Sequence, residues 1–312
     1  MPEHRGGAGQ PPLRLLVATN LVTLLCRTVA RYGSEIDVLT PDGAIMRVNL
    51  RRKVDDVVCG DMVSVDIGER TVLARGERRN QLARRDGFER RRTIAANIDR
   101  VWVVVAPRPE IPHLLIDRFL VGILNLPAQA GLIINKCDLI DADNGPALEA
   151  KLATYGHLRI PVLRISAHSG SGTKELSETA AGGSNILVGQ SGVGKSSLIQ
   201  AMLPGEDLRV GEIGQTGEGR HTTTTARWYP ADHQGAWIDS PGVRDFTPEI
   251  TTFDELVRGF PDLGEISDGC RFRNCTHRSE PGCAVRQAVL REMLPEGRLD
   301  AWLELLKNVN TH

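Results

Sequence analysis

The sequence predicts a multi-domain protein with a small N-terminal β-barrel, a central α/β domain built on a parallel sheet, and a small helical domain at the C-terminus held by a metal ion. Three observations predict it. Five short apolar segments separated by turn residues follow one another between about residues 21 and 74. Between about residues 100 and 240, strongly apolar runs alternate with segments of helical spacing, the pattern of strands buried on both faces. Near the C-terminus, Cys270, Cys275, His277 and Cys283 lie within fourteen residues.

Length and composition bound the function classes. A chain of 312 residues holds about two domains, or three small ones. The formal net charge of -1 means that any basic surface must be local. There is no 18-residue apolar run, and the N-terminus lacks a signal-peptide pattern, so the expectation is a cytoplasmic protein with no membrane association. Six cysteines in that compartment read as thiols or metal ligands rather than disulfides. Met1 to Pro12, rich in Gly, Pro and Gln, reads as the start of a disordered arm over 1–19.

The barrel is expected over 20–77. Its strands are Leu24 to Ala30, Ser34 to Thr40, Ala44 to Leu50 after the turn Pro41-Asp42-Gly43, Asp61 to Asp66, and Thr71 to Ala74. Five strands in so short a span suggest closure, and the OB-fold is the commonest small barrel of this kind. Residues 70–92 then hold nine arginines (Arg70, Arg75, Arg78, Arg79, Arg84, Arg85, Arg90, Arg91 and Arg92) against three acids (Glu77, Asp86 and Glu89). Arginine favours bidentate phosphate contact. A basic linker over 78–94, between a barrel and a nucleotide-binding domain, is therefore expected to meet RNA phosphate.

The central domain is expected over 95–247. Its strands are Arg100 to Ala106, Gly131 to Ile134, Val162 to Ile165 and Asn185 to Val188, with helices over Ile116 to Asn125 and Gly145 to Tyr155. The last of these strands runs into Gly189-Gln190-Ser191-Gly192-Val193-Gly194-Lys195-Ser196-Ser197, which fills the P-loop pattern G-x-x-x-x-G-K-[ST]. Glycines let backbone N–H groups curl around a β-phosphate, Lys195 reaches the β- and γ-oxygens, and the Ser196 hydroxyl can ligate Mg²⁺. The second strand runs into Asn135-Lys136-Cys137-Asp138, an N-K-x-D sequence. There the Asp carboxylate accepts from guanine N1–H and the 2-amino group, donors that adenine lacks, and such a site rejects the analogue by roughly 10⁴-fold. The third strand ends in Ser166-Ala167-His168, an S-A-x element whose backbone N–H meets guanine O6.

Beyond the P-loop, Thr222 to Thr225 follow a Gly214 to Gly219 loop, and Asp239-Ser240-Pro241-Gly242 end a further apolar strand. Asp239 is placed to hold Mg²⁺ through water and the Gly242 N–H to sense a γ-phosphate. One of the four threonines completes the metal shell, and the sequence does not choose among them. Ordinary small GTPases run P-loop, threonine switch, D-x-x-G, N-K-x-D, S-A-x. Here the two base-reading motifs come first, so the domain reads as a circularly permuted α/β P-loop GTPase, with its cut and rejoin in surface connections.

The C-terminal cluster has the spacing C-x4-C-x-H-x5-C, three thiolates and an imidazole that would close a tetrahedral, structural zinc site. Helical periodicity over Ala284 to Met293 and Leu299 to Lys307 makes 248–312 a small helical zinc domain, too small to be stable without metal. Cys26, Cys59 and Cys137 stand singly and read as core or incidental.

The permuted order together with G-Q-S-G-V-G-K-S-S, G-R-H-T-T-T, D-S-P-G-V-R and C-R-F-R-N-C-T-H-R-S-E-P-G-C-A-V resembles the small-ribosomal-subunit-dependent GTPase family (RsgA, also called YjeQ or EngC), over about residues 20–305. The resemblance implies an N-terminal OB-fold, a permuted GTPase domain binding GTP and GDP with Mg²⁺, and a zinc domain. It also implies a monomer acting in late maturation of the 30S subunit, with contact to its 16S rRNA and hydrolysis stimulated by that subunit. The glutamine that orients water in many GTPases is replaced by Val243. The resemblance places the family's proposed catalytic histidine at His221, for which the residues alone leave open the reading of an exposed loop histidine. Two other functions stay open from sequence: an RNA-binding assembly factor that holds GTP as a structural ligand, and a P-loop ATPase or small-molecule kinase, against which N-K-x-D argues.

Overall fold

The computed structural model describes residues 22–54, 56–85, 90–112, 114–205, 226–240 and 250–309. The expectations for the N-terminal arm, for His221, Thr222 to Thr225, Gly242 and Val243, and for the last three residues lie outside the described residues.

Five strands form the first domain: β1 (Thr23–Tyr32), β2 (Glu35–Leu39), β3 (Ile45–Leu50), β4 (Met62–Asp66) and β5 (Thr71–Arg75). β1 pairs with β2 and with β4, β2 with β3, β3 with β5 in parallel, and β5 with β4, so the sheet closes on itself. Closure follows from the alternating pattern, because Cys26, Val38, Val48, Val63, Val65 and Val72 all point inward to one small core. A bulge between Thr28 and Ala30 divides β1, whose first half faces β4 and second half β2.

The stretch expected as a basic linker is instead built into the fold. β6 (Gln81–Arg85) and β7 (Arg91–Ala96) form an antiparallel hairpin, with Leu82, Ile94, Ala95 and Ala96 buried. Arg78 grips the buried Asp61 with two bonds of 2.8 Å and also reaches Asp56, Arg75 pairs with Asp56 at 3.3 Å, and Arg79 pairs with Asp99 at 2.6 Å. Arg78 is thus held inside the fold by a buried carboxylate, while Arg75 and Arg79 pair with carboxylates of the same chain at the surface.

The central sheet has parallel strands β8 (Arg100–Val105), β9 (Gln129–Ile134), β10 (Val162–Arg164), β11 (Ser184–Val188) and β13 (Ala236–Asp239), in the order β10-β9-β8-β11-β13. β12 (Arg227–Pro230) lies antiparallel beside β13 and also pairs with β1 of the barrel, which makes one continuous sheet. Alternate residues of β8 face opposite cores. Val101, Val103 and Val105 pack with α1 (Leu115–Leu124) and α2 (Gly145–Ala153); Trp102 and Val104 pack with α3 (Thr173–Thr179) and α4 (Lys195–Met202).

The C-terminal domain comprises α5 (Phe253–Gly259), α6 (Pro261–Ser267), α7 (Ala284–Leu290) and α8 (Glu296–Leu306). α7 ends three residues sooner than its periodicity suggests, and α8 begins three residues earlier. α5 is opened by a capping box in which Thr252 and Glu255 bond each other's backbone. The core of this domain takes in Leu114 and also Val121 of α1, so it is continuous with the GTP-domain side of the molecule.

Candidate nucleotide site and metal centre

Three loops meet at the carboxyl ends of the parallel strands, where ligands sit in sheets of this kind. The loop from Gly189 to Gly194 leaves β11 and enters α4. Gly189 has φ +145, and a Cβ there would stand 2.3 Å from the Val104 carbonyl oxygen; at Gly194, φ +91, it would stand 2.4 Å from Asn135 Nδ2. Both positions therefore require glycine, one for the turn and one for close approach to the neighbouring loop. Lys195 Nζ donates to the Gly189 and Gln190 carbonyls at 2.6 and 2.8 Å, which holds the ammonium over the loop at the N-terminus of α4. Ser196 and Ser197 follow in the first turn of that helix.

Asn135 joins all three loops. Its side chain, 1% exposed, donates from Nδ2 to the Val193 carbonyl at 2.8 Å, and its Oδ1 accepts from the Ala167 N–H at 3.2 Å. Lys136 adopts a left-handed φ of 57° and donates from Nζ to the Gly192 carbonyl at 2.6 Å. Asp138 lies in a 3-10 turn over Cys137–Leu139, pinned by the Cys137 N–H to the Ile165 carbonyl at 3.1 Å. The Ser166 hydroxyl bonds the Asp138 carboxylate and, with His168 and Lys136 nearby, holds its pKa below the ordinary aspartate value. The group is thus an ionised acceptor at neutral pH. Asp239 ends β13, one residue past the pairing of Ile238 with Ile186, and so at the same rim as the loop that leaves β11.

The structure thus brings together the residues expected at the base-reading motifs and the P-loop, although Asn135 and the start of the P-loop are more than fifty residues apart in the chain. It also shows a fourth element that no motif signalled. The turn after β8 supplies carbonyls of Pro109 and Glu110 to Gln190 Nε2, at 3.3 and 3.0 Å, and the carbonyl of Arg108 to Lys136 Nζ at 3.3 Å. Backbone acceptors leave no side-chain signature, and Arg108-Pro109-Glu110 reads in sequence as an ordinary turn.

The second site lies in the C-terminal domain. One ligand atom from each of Cys270, Cys275, His277 and Cys283 lies within 4.8 Å of all the others, which suits a tetrahedral ion. Backbone N–H groups point at the thiol sulfurs, Ala284 N to Cys270 Sγ at 3.3 Å and Arg286 N to Cys283 Sγ at 3.5 Å. Such backbone donors are the kind of outer contact that orients sulfur ligands around a metal. Burial lowers the pKa of His277, which keeps the imidazole neutral and free to ligate. The donor set fits a metal ion.

A family model described as RsgA GTPase matches residues 75–249. The chain belongs to this family. It is 40% identical over 278 residues to "Small ribosomal subunit biogenesis GTPase RsgA" of Pseudomonas aeruginosa (strain LESB58), covering 88% of this chain and 80% of that one. To the protein of the same description in Azotobacter vinelandii it is 41% identical over 280 residues, covering 87% and 80%. The structure is similar to the crystal structure of YjeQ from Thermotoga maritima, with TM-score 0.77, 28% identity, and 92% and 99% of the two chains covered. It also matches YloQ, described as a circularly permuted GTPase, with TM-score 0.72, 23% identity and coverage of 93% and 96%, a likeness of fold. As an RsgA GTPase the chain is a GTP hydrolase, and its domain is circularly permuted. Among the described residues, no helix is long and apolar enough to cross a membrane.

Proposed function

We propose that this chain is a monomeric, cytoplasmic GTPase that acts in late maturation of the 30S ribosomal subunit and hydrolyses GTP to GDP and phosphate when the small subunit stimulates it. Guanine is read by Asp138 and the Ala167 N–H, with Asn135, Lys136, Cys137 and Ser166 shaping that pocket. The phosphates lie on Gly189 to Gly194, Lys195, Ser196 and Ser197. Mg²⁺, held by the Ser196 hydroxyl and through water by Asp239, would offset charge on the β- and γ-oxygens, and Gly242 would sense the γ-phosphate. The metal in the Cys270, Cys275, His277 and Cys283 site is read as zinc, since three thiolates and one imidazole suit it and leave no open position. The barrel's pairing, with β3 parallel to β5 and β1 closing on β4, supports an OB-fold, a fold that binds nucleic acid, and 16S rRNA is the proposed ligand.

The observation that carries this reading is the bond pair made by Asn135, which ties the phosphate loop to both base-reading loops in one rim. GTP hydrolysis measured with purified small and large subunits added separately tests it. Stimulation by small subunits alone is expected, and equal turnover with either subunit or with none contradicts it. The same assay tests His221 as the residue that orients water: His221→Ala should lose most of the stimulated rate, and stimulation within about twofold of wild type would remove that role.

A further inference from the structure

Arg227 stands in one cross-strand row with a residue of the barrel and a residue of the nucleotide rim. It pairs with Ala30 of β1 on one side and with Asp239 of β13 on the other. Neighbouring strands lie about 4.8 Å apart, so two steps of backbone pairing, roughly 10 Å, separate the barrel from the carboxylate assigned to Mg²⁺. The two sides of β12 are held unequally. Its register with β13 runs from Arg227–Asp239 through Pro230–Ala236, whereas toward β1 it has the single pair Ala30–Arg227.

That single pair falls at the bulge of β1, where the ladder is interrupted. Among the described residues, two buried side-chain polar atoms have no hydrogen-bond partner, and both belong to this joint: Thr28 Oγ1 and Arg227 Nε. A desolvated polar atom without a partner disfavours the arrangement that leaves it so. Around the defect the joint is well made. The Arg27 guanidinium lies 5.5 Å over the Trp228 ring, and Cys59 pairs with Ala95 of the hairpin. The seam is therefore defined in geometry yet weak at one place, and that place lies on the row that ends at Asp239.

We propose that Arg227 is a positioning residue that couples the nucleotide pocket to the barrel, a change at the Asp239 end of β13 being carried through the Ala30–Arg227–Asp239 row into β1. β12 follows β13 because several registered pairs bind them. The motion is taken up where one pair, a bulge and two polar atoms without hydrogen-bond partners coincide, the Arg227 guanidinium itself lying 5.3 Å over the Tyr229 ring. In sequence, only Ala226 separates Arg227 from the threonine run, so the same strand receives both segments assigned to the metal shell. The consequence for RNA binding rests on the function proposed above; the coupling itself does not.

Hydrogen exchange on the full chain, with GDP and with a non-hydrolysable GTP analogue, tests the row. Amides over 27–31 should differ between the two states by about threefold or more in exchange rate. Thr28→Val and Arg227→Met each remove an unpartnered atom and favour the arrangement seen here, so each should cut that difference to below about 1.5-fold with GDP affinity kept within about twofold. A merely structural role would shift exchange equally in both states. No difference in wild type, or a difference that survives in the conservative Thr28→Val, overturns the coupling. Affinity for purified small subunits in the two nucleotide states separates the two claims: coupling present with no small-subunit binding sinks the proposed function alone, and nucleotide-dependent binding left intact in both variants sinks the coupling alone.

Discussion

Asp138 shows how much chemistry one carboxylate is asked to supply. Its charge is held by the Ser166 hydroxyl, with His168 and Lys136 adding to it, and an ionised acceptor at that position complements the N1–H and 2-amino donors of guanine. Xanthine carries a C2 carbonyl where guanine carries the amino group. Asp138→Asn should therefore weaken GTP binding by roughly 10²- to 10⁴-fold and restore turnover with xanthosine triphosphate, measured by competition and by phosphate release. Equal loss with both nucleotides would mean that residue 138 shapes the loop and does not read the base. Asn135 and Gly194 act at the same scale in a different way: the 2.4 Å between a Cβ at 194 and Asn135 Nδ2 means that the bond bridging the loops exists only because residue 194 lacks a side chain.

At the scale of elements, charge concealed secondary structure in one place and a shared core changes an expectation in another. The arginine run of 78–94 masks the apolar residues Leu82, Ile94, Ala95 and Ala96, which decide that it pairs as a hairpin, and Arg78 is the partner of a buried carboxylate. In the C-terminal domain, Cys283 caps α7, His277 takes a left-handed φ of 63°, and the four side chains that could hold a metal ion converge in this irregular loop. The domain's core also runs into α1 through Leu114 and Val121. Chelation of the metal proposed for this site should thus raise hydrogen exchange over 270–283 and leave α8 protected, and Cys275→Ser should do the same. Simultaneous loss of protection in α8 would show that the metal, and not the shared core, holds the domain.

Across the whole molecule the two flanking domains are attached by different physics. The barrel joins through the β1–β12 pair, the hairpin and an apolar core in which Val29, Ala30 and Cys59 pack with Trp228 and Ile238. The C-terminal domain joins through a buried ion cluster: Arg298, with 0% exposure, donates to Asp117 Oδ1 at 2.6 Å and to both Asp262 oxygens at 2.8 and 2.9 Å, over the Phe260 ring at 4.2 Å. Tyr155 closes the cluster through Asp117 at 2.7 Å and His157 through Asp262 at 2.7 Å. Arg298→Ala strands two buried carboxylates and should cost about 3–5 kcal/mol in urea unfolding of the full chain, whereas Arg164→Ala, at an exposed pair with Glu149, should stay within about 1 kcal/mol. Burial opposes the charge on Asp262, but Arg298 and His157 outweigh it and its pKa falls. Its contribution is therefore complete above about pH 4 and fades as acid titrates the folded carboxyl, so an acid midpoint unaffected by Arg298→Ala would contradict the assignment.

The sequence by itself determined the motifs, their permuted order, the cluster of Cys and His that could hold a metal ion, and most of the strands that carry the motifs. Each of these is a local signal, a run of glycines, a spacing of thiols or a stretch of buried apolar residues, that survives without knowledge of neighbours. Only the tertiary structure decided which arginines are internal, that 81–96 is a hairpin, that Asn135 spans three loops, and that Arg298 locks one end while Arg227 stands in the seam with the barrel at the other. Most of those are pairings between distant residues, 17 positions apart for Arg78 with Asp61 and 181 for Arg298 with Asp117. No local pattern encodes them, because a charged side chain looks the same in sequence whether its partner is water, phosphate or a carboxylate brought to it by the fold.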